Sequence, residues 1–266
     1  MISDLQILAD RIKGARSVTA LTGAGVSAAS GIPTFRGAHG LWRTHRPEDL
    51  ATPEAFIRNP TLVWEWYDWR RSLIASCDPN AAHEVLARWS ALEGFTLITQ
   101  NVDGLHERAG ATPLRLHGSI WELRCADGCG AAPWDDRRAP LPDLPPRCPS
   151  CRALARPGVV WFGEALDPHV LDRAAAATGC DVFLSIGTSS VVYPAAGLVH
   201  DARRRGAFTA EINPVATDAS GAVDLPIAMP AEDALPAIER LIDGPPTSDR
   251  LATSDRRASD GPATND

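Results

Sequence analysis

Lysine is nearly missing from this chain: Lys13 is the one lysine among 26 basic residues, and all the others are arginine. Together with the alanine richness, that bias fits GC-rich coding, such as that of a GC-rich bacterium. An excess of basic charge is missing too. The formal net charge is -7, which argues against direct nucleic-acid binding, although a local basic groove can still draw an acidic ligand. No apolar run approaches the roughly 20 residues that a membrane helix needs, and Met1-Ile2-Ser3-Asp4-Leu5-Gln6 lacks the basic-then-apolar layout of a secretory signal. A soluble cytoplasmic protein with no membrane partner is the expectation. Cysteine is scarce and unevenly placed. Cys125, Cys129, Cys148 and Cys151 cluster while Cys77 and Cys180 stand alone, which is not the disulfide framework of a secreted domain and points instead to metal in a reducing compartment. Internal repeats are absent as well.

At 266 residues and 44% hydrophobic content, the chain can bury one large core, or a core with a small satellite. It is organised around the stretch from Thr22-Gly23-Ala24-Gly25 to Thr34-Phe35-Arg36-Gly37, which follows the apolar run Ser17-Val18-Thr19-Ala20-Leu21. A short β-branched run that ends in glycines and opens into small residues predicts a strand, a tight turn and a helix whose free N–H groups hold a phosphate. Gly23, Gly25 and Ala28 satisfy the loose G-x-G-x-x-A form, which a plain packing turn also satisfies. A dehydrogenase would carry a second strand next, with an acidic residue near its end to hold a ribose. Here Pro33, Phe35, Arg36 and Gly37 lead into loop and helix instead.

Along the chain, Ile2, Leu5, Leu8, Ala9 and Ile12 keep helical spacing over Ile2 to Ala15. Leu41 to Ala75 is dense in tryptophan and broken by Pro47, Pro53 and Pro60, so short helices are expected. Asn80 to Leu92 reads as a helix and Phe95 to Thr99 as a buried strand, ending at the polar Gln100-Asn101-Val102-Asp103. Leu114 to Gly118 reads as a short strand and turn. Cys, Pro, Asp and Arg then dominate to about Pro157, as in a metal-held insertion. The sheet is expected to resume at Val159 to Glu164, followed by a helix over Pro168 to Thr178, a strand over Val182 to Ile186 and the loop Gly187-Thr188-Ser189-Ser190. A helix over Ala195 to Arg204, a strand over Phe208 to Ile212 ending at Asn213, and a closing helix over Ala231 to Ile242 complete the pattern. Such alternation predicts an α/β fold with a parallel sheet covered on both faces. From Gly244 onward apolar residues almost vanish, which predicts a disordered tail over 244–266.

Two constellations carry chemistry. The cysteines space as C-x3-C, about eighteen residues, then C-x2-C, so that four thiolates can close tetrahedrally on one structural zinc. His117 competes with six other histidines as a base, since an imidazole titrates near neutral pH. Gln100, Asn101 and Asp103 offer side-chain donors and acceptors at a strand end, where ligands of open α/β sheets bind, although a hydrophilic turn would carry the same residues.

Read together, Gly-Ala-Gly, Gly31-Ile32-Pro33-Thr34-Phe35-Arg36, Gln100-Asn101-Val102-Asp103, Leu116-His117-Gly118, the cysteine pairs and Val159-Val160-Trp161-Phe162-Gly163-Glu164 resemble the sirtuins, the NAD-dependent protein lysine deacylases. The likeness spans roughly Leu8 to Leu241. It implies a Rossmann-like catalytic domain over 1–243, with a helical insertion at about 38–80 and a zinc-ribbon insertion at about 121–157. By the same likeness NAD is a cosubstrate, bound through Gly23, Ala24, Gly25, Ser27, Thr34, Phe35, Arg36, Trp42, Gln100, Asn101, Asp103, Gly187, Thr188, Ser189, Asn213 and Ala231. His117 would activate a ribose hydroxyl, and Val160, Trp161, Phe162 and Gly163 would line the acyl-lysine tunnel and pair with the backbone of an acylated protein or peptide. Free lysine, nicotinamide and O-acyl-ADP-ribose would leave. Tyr67-Asp68-Trp69-Arg70 matches the Tyr-x-x-Arg of the desuccinylase and demalonylase branch, with Ala51 as the small residue that widens the pocket. Two departures stand out: the extra residue in the first cysteine pair, and Gly158 where a bulkier residue is often found. Use of the same pocket for general deacetylation, mono-ADP-ribosylation or NAD hydrolysis is the alternative reading.

Overall fold

The computed structural model describes residues 2–35 and 46–244. Helix α1 (Ile2–Gly14) leads into β1 (Val18–Thr22), whose five residues are all buried. Around β1 lies a parallel sheet of six strands in the order β3-β2-β1-β7-β8-β9. Its other members are β2 (Phe95–Thr99), β3 (Leu114–Arg115), β7 (Val182–Ile186), β8 (Phe208–Ile212) and β9 (Leu225–Ile227). The period of two along each strand sends alternate side chains to opposite faces. Ala20, Leu184 and Ala210 join a core with α1, α5 (Ala81–Ser90) and α9 (Ala231–Asp243). Leu21, Ile98 and Phe183 face the other way, toward α7 (Pro168–Ala177) and α8 (Gly197–Arg204).

From β1 the chain builds outward to β2 and β3, then returns to the other side of β1 for β7, β8 and β9. The strand order therefore reverses between β1 and β7, the place where open parallel sheets bind ligands beyond their carboxyl ends. Register makes this edge level, because Thr22 pairs with Thr99 and Ile186, and Ile186 pairs with Ile212. The loops that begin at Gly23, Gln100, Gly187 and Asn213 consequently leave the sheet side by side.

A second lobe packs its own core. The proline breaks open helices α2 (Pro47–Leu50), α3 (Pro53–Arg58) and α4 (Pro60–Ala75), with Thr52 and Asn59 capping the last two. These meet a small antiparallel sheet of β4 (Gly118–Cys125), β5 (Trp134–Asp135) and β6 (Ala155–Val159) around Trp64, Trp66, Ile120, Trp121 and Trp161. The Trp64 indole donates to the Ala155 carbonyl at 2.8 Å. The buried Arg71 guanidinium donates to the carbonyls of Ile120 at 2.7 Å and Arg138 at 2.9 Å and lies 3.7 Å from Asp136.

The four clustered cysteine sulfurs lie within 4.8 Å of one another, with Cys125 and Cys151 3.6 Å apart and Cys129 and Cys148 3.8 Å apart. A tetrahedron of thiolates about 2.3 Å from a zinc has edges of about 3.8 Å, so the donor set fits one structural zinc. The extra residue of the first pair is absorbed by Gly128, at a φ of +61°.

Three expectations change. The glycine loop opens into a 3-10 helix, Ala24–Ser30, and Gly31 ends it with a left-handed cap. The main sheet does not resume at Val159: that residue closes β6 of the small sheet, and Val160 to Glu164 runs on as loop because the N–H groups of Val160 and Phe162 go to the carbonyls of His117 and Ala51. Strand β9 escaped the sequence reading, being three residues long and carrying Pro226 at the sheet edge where a missing donor costs little. Gly158, by contrast, has a reason. A Cβ there would lie 2.7 Å from the Glu122 Cβ, so only glycine lets β6 lie against β4. The expected tail lies outside the described residues, apart from Gly244.

Zinc release is expected to unfold this small module, because metal binding and folding are linked in thiolate domains. Cys148→Ser should lower zinc affinity by at least about a hundredfold, more than the loss of an outer-shell partner costs. Measured zinc per chain should fall from one, with a lower melting temperature. Unchanged zinc content would contradict the assignment.

Candidate active site

A cavity of about 1040 Å³ opens along the carboxyl edge of the large sheet and continues between the two lobes. Its floor begins where two glycine loops touch. The Gly23 N–H donates to the Ile186 carbonyl at 3.0 Å, and the Gly25 N–H to the Gly187 carbonyl at 2.7 Å. A Cβ on Gly25 would sit 2.7 Å from the Gly187 oxygen, and one on Gly23 would sit 2.8 Å from Thr188. The G-x-G pattern thus lets β1 and β7 release their loops in contact.

Polar side chains from four strand ends then tie together. Gln100 donates to the Thr188 hydroxyl at 3.0 Å, and Asn213 to the Thr188 carbonyl at 2.9 Å. Asn101 donates to the Gly23 carbonyl at 3.1 Å and to the Ser27 hydroxyl at 3.2 Å, while Ser27 donates to Asp103 at 2.8 Å. Burial pushes the Asp103 carboxyl up, opposed by the Leu105 N–H, the Ser27 hydroxyl and Arg70. His117 lines the cavity with Nδ1 3.0 Å from the Gln100 carbonyl. A carbonyl only accepts, so Nδ1 carries the proton and Nε2 keeps its lone pair. Burial holds the His117 pKa below the usual 6.5, against the pull of that carbonyl.

The far end of the cavity is built by α4 and the loop after β6. Tyr67 and Arg70, three residues apart on the helix, both line it, as do Ala51 and Trp161. The Arg70 guanidinium carbon lies 4.9 Å from the centres of the Phe35 and Trp66 rings and 6.0 Å from that of Tyr67. Only 6% of Arg70 is exposed, and among the described residues it has no hydrogen-bond or ion-pair partner. Burial lowers its pKa, with Tyr67 and Asp103 opposing.

The sequence profile of the Sir2 family matches residues 23–194, from the first glycine of this loop to a proline on the cavity wall. The chain belongs to the Sir2 family. An NAD-dependent protein deacylase of Aquifex aeolicus (strain VF5) is 52% identical over 212 residues, covering 79% of this chain and 88% of that protein. The structure of a Sir2 homolog–NAD complex superposes with a TM-score of 0.83 at 43% identity, covering 90% of this chain and 94% of that one. A second Sir2 structure, bound to a myristoylated histone peptide, gives 0.74 at 30% identity over 91% of this chain and 98% of that one.

In this Sir2 chain the residues singled out from the sequence converge with few exceptions. Gly23, Ala24, Gly25, Thr34, Phe35, Gln100, Asn101, Gly187, Thr188, Ser189, Asn213 and Ala231 line the same cavity as His117, Ala51, Tyr67, Arg70, Val160, Trp161, Phe162 and Gly163. Ser27 and Asp103 do not line it; both are buried and brace Asn101 from beneath. Arg36 and Trp42 lie outside the described residues. The sequence reading missed the wall formed by Val192, Tyr193, Pro194 and the loop Pro214 to Asp218. The second of these follows a strand end directly, a signal that position alone could have supplied. Its anchor is the buried Glu211, whose two carboxylate oxygens accept the hydroxyls of Thr217 and Ser220.

Two buried histidines sit behind the Asn101 network, with ring centres 4.9 Å apart. Histidine titrates near 6.5 in an unfolded chain, whereas burial lowers His83 to about 4 and His106, also beside His83, to about 3. Between those values the unfolded chain binds more protons, so their contribution to stability is complete above pH 6.5 and lost as pH falls, toward 4 for His83 and toward 3 for His106. The expected slope is on the order of 1.4 kcal/mol per pH unit for each histidine. Denaturant unfolding at several pH values checks it, and His106→Gln should flatten the slope.

Proposed function

We propose that this Sir2-family chain is an NAD-dependent protein-lysine deacylase that removes succinyl and malonyl groups in preference to acetyl, with acetyl-lysine also accepted. One observation carries the acyl preference. Arg70 places a buried cation in the cavity without a hydrogen-bonded anion among the described residues, beside a phenol. A buried charge left unpaired costs several kcal/mol, and a planar guanidinium next to a hydroxyl suits a carboxylate. The small Ala51 on the same wall leaves room for a longer chain.

The loops at Gly23–Gly25 and Gly187–Ser189, with Gln100, Asn101 and Asn213, are the groups that would hold NAD, and their mixed donors and acceptors fit its phosphates, carboxamide and ribose hydroxyls. When bound, NAD supplies an electrophilic ribose carbon with nicotinamide as its leaving group, the acyl oxygen being the attacking group. Asn101 is held by Gly23 and Ser27 at its amide nitrogen, which leaves its carbonyl oxygen for a ligand. His117 Nε2 accepts the proton of a ribose hydroxyl, while Nδ1 stays bonded to the Gln100 carbonyl and fixes the ring. The peptide backbone docks on Val160 to Gly163, where the Gly163 N–H and Val160 carbonyl are not engaged by other described backbone groups.

Incubation with NAD and acyl-lysine peptides, following nicotinamide release and peptide mass, tests the reaction itself. His117→Ala should retain NAD binding and lose about a hundredfold to ten-thousandfold in turnover. Because burial depresses the His117 pKa, activity that depends on its neutral form should fall only as pH drops below 6.5. Near-normal turnover of His117→Ala at pH 7 would assign the base elsewhere.

Arg70→Met should cost the acidic substrates about 1.5 to 3 kcal/mol in kcat/KM, the range for a hydrogen bond to a charged group, and acetyl-lysine much less. Equal losses on succinyl- and acetyl-lysine peptides would make Arg70 a support of the fold.

A further inference from the structure

Behind Tyr67 stands the Trp161 indole, a cavity-lining ring whose N–H the acyl reading leaves without a role. The Trp161 indole Nε1–H donates to the Tyr67 hydroxyl at 3.0 Å, with both residues 3% exposed. A phenol oxygen that accepts a hydrogen bond still has its own proton to donate. Among the described residues the indole is the one hydrogen-bond partner of this hydroxyl, so that proton is left for whatever occupies the cavity.

The indole itself is clamped. The Arg156 guanidinium carbon stacks 3.6 Å from the centre of its rings. Arg156 also donates twice to Glu164, at 2.5 and 2.9 Å, and Glu164 accepts the Trp161 backbone N–H at 2.8 Å. The Phe56 ring lies 5.3 Å from the indole. A side chain held by stacking, packing and its own backbone bond keeps a fixed direction for its N–H.

We propose that Trp161 is a specificity-determining positioning residue: its N–H fills an acceptor direction of the Tyr67 hydroxyl and so reserves the Tyr67 proton for an anionic acyl terminus beside Arg70. The proposal rests on the acidic-acyl reading above. It deepens that reading by making the acyl sensor a line of three side chains, Trp161, Tyr67 and Arg70. Without the indole N–H, the phenol can turn to accept as well as donate, and an anionic terminus loses its advantage over a neutral one.

A double-mutant cycle tests it. The ratio of kcat/KM for succinyl-lysine over acetyl-lysine peptide is measured for the wild type, W161F, Y67F, the double variant and R70M. W161F should lower the ratio by about three- to tenfold, the span of one neutral hydrogen bond, and should change it no further once Tyr67 is Phe. A general loss of packing would lower both substrates together and leave the ratio alone. Replacing Trp161 with benzothienylalanine keeps the bicyclic ring and exchanges the N–H for sulfur; it should lower the ratio as W161F does, and it decides the matter if W161F fails to fold. A ratio unchanged in these variants, or an equal fall in the Y67F background, overturns the role of Trp161 while a normal R70M effect leaves the acidic-acyl reading standing. A wild type without preference for succinyl-lysine, or an R70M ratio equal to the wild type, overturns that reading and the proposal with it.

Discussion

The contact between the Gly23–Gly25 loop and Gly187 is the constraint on which the rest of the site depends. Strands β1 and β7 are neighbours whose chains turn away to opposite sides, and a ligand crevice exists only if both loops begin at one level. The bond from Gly25 to Gly187 holds them there, with no room for a Cβ between them. Thr188 then becomes a hub, taking Gln100 at its hydroxyl and Asn213 at its carbonyl. Through Gln100 the same hub reaches His117, because the Gln100 carbonyl sets which imidazole nitrogen bears the proton. The position and the tautomer of His117 both trace back to backbone packing at the centre of the sheet.

Two consecutive arginines on α4 show how helix geometry sends adjacent charges into different surroundings. Arg70 and Arg71 are both buried, but one residue along a helix turns a side chain by about 100°. Arg71 faces the small sheet, where its two terminal nitrogens meet the carbonyls of Ile120 and Arg138 and the Asp136 carboxylate. Arg70 faces the cavity and meets only aromatic faces among the described residues. Cation–π contact offsets part of the desolvation of a guanidinium but does not replace a hydrogen-bonded anion. Arg71 ties the lobe together, and Arg70 keeps its hydrogen-bond donors without an anion among the described residues.

This helix also links the metal module to the chemistry. Trp64 and Arg71 bind α4 to β6 and β4, and β4 ends at Cys125, the first of the four clustered thiolates. The cysteines do not line the cavity, and a closed four-thiolate set offers no open position to a reactant. What the module supplies is a rigid wall: β6 delivers the Val160 to Glu164 loop, and α4 presents Tyr67 against it.

Much was determined by the sequence alone, since it rests on local rules. Alternating apolar strands and helices imposed a covered parallel sheet, prolines marked the starts of α3 and α4, and the cysteine spacing announced one metal centre. The polar run after β2 was legible because a strand end is a local event with a known place in such folds, whereas His117 stood out from six other histidines only through its likeness to the sirtuin His-Gly pattern. Tertiary structure decided what depends on the distance between remote segments. No pattern within Val159 to Glu164 reveals that its amides are claimed by His117 and Ala51, turning an apolar run into a loop rather than a sheet strand. Nor can spacing show that Ser27 and Asp103 lie beneath the floor instead of on it, or that the Trp161 indole reaches a phenol 94 positions away. Hydrophobic periodicity reports which face of an element is buried, whereas the direction of a hydrogen bond between two buried side chains exists only after both elements have packed.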